Sequence, residues 1–109
     1  MKQQTTETPK HLYKVIALEL WQASENKQSV ILSAEDVPFI RFQKEDELGR
    51  LVHYWNTLDL PYVVLKIKVS KLKGTLVFEA KLGGSTKKYH LYDGCIPIDA
   101  IIEAKIIQK

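Results

Sequence analysis

Three places in this 109-residue chain hold side chains suited to chemistry. Glu79 falls in the middle of a strong strand pattern, on the face opposite its apolar stripe. A lone carboxylate there, if that face lines a cleft, can act as a base or anchor a ribose hydroxyl. It can equally form a cross-strand pair with Lys66 or Lys68. Tyr89-His90-Leu91-Tyr92 is the densest polar-aromatic cluster, and strand alternation puts His90 and Tyr92 on one face, Tyr89 and Leu91 on the other. Two phenols and an imidazole suit stacking and hydrogen bonding to a heterocyclic ligand, while buried Tyr hydroxyls also serve to satisfy backbone at a sheet end. Arg41 is one of two arginines and lies between aromatic residues in a short strand pattern. Its guanidinium can clamp a phosphate or carboxylate, or pair with an acid such as Glu79.

The elements that must position these groups can be read from periodicity. His11 to Ile16 alternates as a first strand. Ala17 to Ser24 carries Leu20, Trp21 and Ser24 at helical spacing before the polar stop Glu25-Asn26-Lys27. Ser29 to Leu32 reads as a short apolar strand. Ser33 to Asp36 reads as a turn or single helical turn, closed by Pro38, which forces the residue before it into an extended conformation. Phe39 to Gln43 is the next strand, with Phe39, Arg41 and Gln43 on one face. In the clearest helix, Leu48, Leu51, Val52 and Trp55 form one stripe, and Glu45, Asp46 and Glu47 sit at the positive end of the dipole. Burial of that stripe is expected to contribute about 1.5–3 kcal/mol per side chain before entropy.

The C-terminal half reads as sheet. Val63, Leu65, Ile67 and Val69 share one face of Tyr62 to Val69, and Leu76, Phe78, Ala80 and Leu82 share the inward face of Thr75 to Leu82. Gly83 to Thr86 is a flexible turn, Tyr89 to Tyr92 a short strand, and Ile101 to Gln108 the closing strand. With helices early and sheet late, the expectation is a small α+β domain with a split, mostly antiparallel sheet and two main helices. Residues 1–10 are expected to be a flexible tail and 11–109 a single domain.

Composition limits the classes of function. Hydrophobic content of 45% and charged content of 27% are ordinary for a globular domain. No apolar run approaches the roughly 20 residues of a spanning helix, so no membrane segment is expected. A single cysteine, Cys95, cannot form an internal disulfide, which points to the cytoplasm. Within Asp93-Gly94-Cys95-Ile96-Pro97 it reads as a small filler rather than a nucleophile, which would need a base held nearby. Residues 1–61 carry seven Lys/Arg against nine Asp/Glu, whereas 62–109 carry nine lysines against four acids. The second half contains no Arg, so this surface reads as a solvated Lys-rich face and a nucleic-acid partner is not expected. His11, His53 and His90 are far apart, no Cys/His spacing matches a zinc motif, and Gly83-Gly84 lacks the rest of a dinucleotide fingerprint.

Taken in order, these segments resemble the family catalogued as domain of unknown function 952, from about Leu12 to Ile107. The opening Leu12-Tyr13-Lys14-Val15-Ile16 and Trp21-Gln22-Ala23 resemble its strand and Trp-containing helix. Phe39-Ile40-Arg41 stands where the family has Gly-Phe-Ile-His-x-Ser. Tyr62 to Ile67 resembles its apolar strand, Phe78-Glu79 its strand ending in glutamate, and His90-Leu91-Tyr92 its Phe-Pro-His-Leu-Tyr-Gly. The resemblance implies a compact relative of the ADP-ribosyltransferase and RNA 2′-phosphotransferase folds, with NAD or a related nucleotide in the cleft of a split sheet. By that analogy Arg41, Glu79, His90 and Tyr92 line the cleft. Arg41 replaces the family's His, Pro38 its Gly, Gln43 its Ser, Glu47 a Gln and Tyr89 a Pro. A guanidinium can hold phosphate or ribose oxygens but stays protonated, so it cannot serve as a neutral imidazole base. The expectation is therefore a small-ligand, nucleotide-like binding cleft. The alternatives are an NAD-dependent ADP-ribosyltransferase-type enzyme with Glu79 as catalytic carboxylate, or a protein or nucleic-acid interaction domain using the Lys-rich half.

Overall fold

Alternating apolar and polar side chains build most of the chain into strands. The structure, a computed structural model, describes residues 8–80, 84 and 86–108. The elements run β1 (His11–Ala17), α1 (Leu18–Ala23), β2 (Phe39–Phe42), α2 (Glu45–Thr57), β3 (Tyr62–Lys68), β4 (Lys73–Ala80), β5 (Lys87–Cys95) and β6 (Ile101–Ile107), with single 3₁₀ turns at Ala34–Asp36, Val69–Lys71 and Ile98–Ala100. The strands form two three-stranded antiparallel sheets, ordered β1-β3-β6 and β2-β5-β4. This is an α+β domain with a split sheet and two helices, as the periodicity implies. Residues 1–7 of the expected tail lie outside the described residues, as do Lys81 and Leu82 of the expected strand and Gly83 and Ser85 of the expected turn, while the Lys10 carbonyl accepts from the Val69 N–H at 3.0 Å.

Register decides which faces are buried. Leu12 and Ile16 of β1 stand opposite Ile67 and Val63 of β3, so both strands turn the same apolar face inward. In the second sheet Ile40 and Phe42 oppose Leu91 and Tyr89, and Leu76 and Phe78 oppose the same pair from β4. These inward faces meet in one buried cluster with Leu65, Ile96 and Ala100. Each fully buried aliphatic or aromatic side chain contributes about 1.5–3 kcal/mol.

Two expectations fail for physical reasons. Ser29 to Leu32 is not a strand: the Val30 N–H donates to the Ile96 carbonyl at 2.9 Å, but the Ile31 N–H is taken by the Ser24 hydroxyl at 2.8 Å. A side chain thus occupies the opposite edge of this segment, and among the described residues its pairing is a single bridge, between Ser29 and Pro97. The α2 stripe does form, yet Leu48, Leu51, Val52 and Trp55 are only half-buried. The helix packs mainly on β1 and leaves part of its apolar face open, so the burial expected of it is only partly realised. The short strand expected at Tyr89 to Tyr92 is in fact the centre of the longer β5.

Between the two sheets, β1 and β2 pair at one place among the described residues. Tyr13 and Gln43 exchange both backbone hydrogen bonds, each 2.8 Å long. Antiparallel pairing carried further would set Val15 against Arg41. Instead the strands part.

Candidate functional site

Lys14 explains how the split is held open. It falls in phase with Leu12 and Ile16, so strand alternation directs its side chain to the buried face. Its Nζ donates to Asp36 Oδ1 at 2.8 Å and to the Arg41 carbonyl at 2.7 Å, while the Arg41 N–H donates to the same Asp36 oxygen at 3.1 Å. The backbone groups of β2 that would have bonded β1 are therefore met by two side chains. Asp36 is delivered by the 3₁₀ turn, whose start is capped by the Ser33 hydroxyl accepting from the Glu35 N–H at 3.3 Å. Both charged side chains are nearly sealed, Lys14 at 7% and Asp36 at 9% exposure. Burial pushes the Lys14 ammonium below the usual lysine range, against the opposing pull of Asp36.

The gap behind this pair is a cleft of about 480 Å³, lined by Lys14 and Arg41 together with the acidic residues Glu19, Glu35 and Asp36, and by Leu51, Tyr54, Trp55 and Leu58. The open part of the α2 stripe supplies the apolar wall. Trp55 is braced by Tyr62, with ring centroids 5.8 Å apart, and Tyr62 donates to Asn56 Oδ1 at 2.7 Å. Arg41 donates through Nη1 to the Glu35 carbonyl and lies 4.9 Å over the Phe39 ring. Among the described residues it makes no salt bridge.

A second constellation occupies the outer face of the β2-β5-β4 sheet. Register places Phe39 beside Tyr92 and Arg41 beside His90 on this face. Glu79 Oε2 accepts from the Tyr92 hydroxyl and bonds His90 Nδ1 at 2.8 Å. Phe39 stacks on His90 with centroids 4.1 Å apart, and the His90 side chain is 3% exposed, whereas the Glu79 side chain is 33% exposed. The hydrogen bonds from Tyr92, then His90, hold the Glu79 carboxyl below the usual carboxylate range, and the same bond raises the Tyr92 phenol above its own. A carboxylate only accepts, so the ring presents an N–H at Nδ1. The group is a fixed, ionised acceptor with two donors.

Comparison with known proteins adds the fold and nothing finer. Protein CC0527 from Caulobacter crescentus matches with 21% identity over 88% of this chain and 84% of that one, at a TM-score of 0.71. A double mutant of the same protein matches at 20% identity, with the same coverage and TM-score. No family model matches the chain, and no curated protein does. At this level of identity the shared property is the α+β architecture.

Of the residues singled out from the sequence, Glu79, His90 and Tyr92 come together, and Arg41 stands beside them through Phe39. Only Arg41 lines the cleft of the split. The pairing of Glu79 with Lys66 or Lys68 does not occur, because those lysines belong to the other sheet. Its true cross-strand neighbour is Lys88, which turns instead to Glu47 Oε2 at 2.7 Å and ties α2 to β5. Arg41 and Glu79 do not pair either: Glu79 is bonded to His90 and Tyr92, and Arg41 turns to the Glu35 carbonyl and the Phe39 ring. Lys14 and Asp36 were missed. The signal was legible, because a lysine in phase with two buried apolar residues requires a partner. Cys95 is half-buried at the end of β5, and no cluster of His, Cys, Asp and Glu among the described residues suits a metal ion.

Proposed function

We propose that the split between β1 and β2 is a binding cleft for a small anionic ligand with a planar ring, of the nucleotide class. The observation that carries this reading is Arg41. It lines a cleft shared with Tyr54 and Trp55, and among the described residues none of the acidic side chains there, Glu19, Glu35 or Asp36, forms an ion pair with its guanidinium. A guanidinium has five N–H donors, so one bond to a carbonyl leaves capacity for phosphate or carboxylate oxygens. Tyr54 and Trp55 offer flat apolar surface for the ring. The open split also supports the resemblance to the domain of unknown function 952 and, through it, to ADP-ribosyltransferase-like folds, which makes NAD and its fragments the first ligands to test. Arg41 would hold the phosphate and the α2 aromatics the base.

Calorimetry with AMP, ADP-ribose and NAD at low salt is expected to show saturable binding that weakens about tenfold or more in Arg41→Ala. Tyr92→Phe should bind as the parent does, because Tyr92 lies outside the cleft. Absence of binding across the panel would discard the reading. A second reading, an NAD-dependent transferase with Glu79 as its catalytic carboxylate, draws on the ionised, doubly hydrogen-bonded state of Glu79. It predicts nicotinamide release that disappears in Glu79→Gln. The position of Glu79 outside the cleft ranks it second.

A further inference from the structure

We infer that β6 is a self-complementary edge through which two copies of this chain pair, joining their β1-β3-β6 sheets into one antiparallel sheet. The strand lies at the end of its sheet, bonded to β3 on one side and to no strand on the other among the described residues. An edge of this kind presents a row of backbone donors and acceptors, a template for another strand. Natural edges are blunted by proline, inward-pointing charge, charged side chains or bulges; Ile-Ile-Glu-Ala-Lys-Ile-Ile carries no proline, its core-side positions Ala104 and Ile106 are apolar, its two charges are of opposite sign, and its one bulge lies at Ile102, towards the start of the strand.

Its sequence is also symmetric about Ala104. A two-fold axis there sets Glu103 of one copy against Lys105 of the other, twice, and Ile102 against Ile106, twice. Glu103 and Lys105 lie on the face away from the core, opposite Lys66 and Val64, and neither makes a salt bridge among the described residues. Ile102 and Ile106 are two of the large apolar residues left open, at 49% and 47% exposure. Ile106 also borders a groove of about 500 Å³ with Leu18 and Trp21, so the cross-strand Ile102 of the second copy would cover apolar surface beyond its immediate partner. The register shift beside Ile67 falls at Ile102, so the Glu103–Lys105 centre of the pairing is regular and the Ile102–Ile106 pairs flank it at a bulge. Opposite charges and exposed isoleucines thus coincide in one register, and the occupant that satisfies both is a second copy of the same strand.

Sedimentation equilibrium from micromolar to several hundred micromolar tests this directly. The expected result is a monomer–dimer equilibrium. Lys105→Glu sets two pairs of glutamates face to face and should weaken it about tenfold, as should Glu103→Lys. The double variant Glu103→Lys/Lys105→Glu restores opposite charges with reversed polarity and should restore dimerisation to within about threefold of the parent. Circular dichroism confirms that each variant is folded. A parent that stays monomeric throughout the range overturns the inference. So does a dimer indifferent to the single reversals, or one that the double variant fails to rescue.

Discussion

The molecule holds two polar constellations built from similar groups and put to different use. At the split, Lys14 and Asp36 are sealed from water and bonded to the backbone of β2. On the outer sheet face, Glu79 is one-third exposed and bonded to two side chains, one of them buried under Phe39. A sealed ion pair is costly to form, and removing one member leaves an uncompensated charge in low dielectric. A partly exposed carboxylate can return to water when its partners are lost. The first therefore sets the shape of the cleft, while the second can vary without unfolding the chain.

The largest effect should follow from Asp36→Ala. That change strands the Lys14 ammonium in the core and removes the acceptor of the Arg41 N–H. A loss of about 3–5 kcal/mol is expected, read as a lowered midpoint in urea unfolding. Lys14→Met combined with Asp36→Leu should recover part of this, because the stranded charge is gone, but not all, because the Arg41 backbone stays unmet. A loss below about 1 kcal/mol in Asp36→Ala would erase the contrast between the constellations.

His90→Ala tests whether the outer group is uniform. The imidazole is buried and stacked on Phe39, so its removal opens a void under that ring. About 2 kcal/mol is expected, from lost packing and lost stacking. Since His90 does not line the cleft, ligand affinity should hold while stability falls. A change in affinity with unaltered stability would move the boundary between the two regions.

How far these differences could be read from the sequence depends on which interactions are periodic. Alternation placed His90 with Tyr92 and Phe39 with Arg41, and the i, i+3, i+4, i+7 spacing placed α2, because backbone geometry alone sets those relations. The convergence of Glu79 on His90 and Tyr92 required only that β4 pair with β5. The split itself was not legible in the same way. It depends on β1 and β2 parting after Tyr13 and Gln43, and on Asp36 arriving from a turn 22 residues from Lys14. The Ser24 hydroxyl that takes the Ile31 N–H, on the edge of Ser29 to Leu32 away from Ile96, is likewise a contact that periodicity does not signal. Periodicity assigns faces; it does not say where two sheets separate.

The smallest effect at neutral pH belongs to Glu79→Gln, and its value lies in its dependence on acidity. In the folded chain the hydrogen bonds from Tyr92 and His90 hold the carboxyl below its unfolded value of about 4.3. The unfolded chain then binds the proton first as pH falls. The contribution of Glu79 is accordingly complete above its unfolded pKa and is lost as pH drops through the lower folded value. Thermal midpoints of parent and variant should differ by a constant amount from pH 7 to about 5 and then converge toward pH 3. An amide keeps the size of the side chain and one acceptor oxygen, so a packing effect would leave the difference the same at every pH. Parallel curves down to pH 3 would mean that the outer constellation works through shape alone, and that its charge, unlike that of Lys14 and Asp36, has no part in holding the fold.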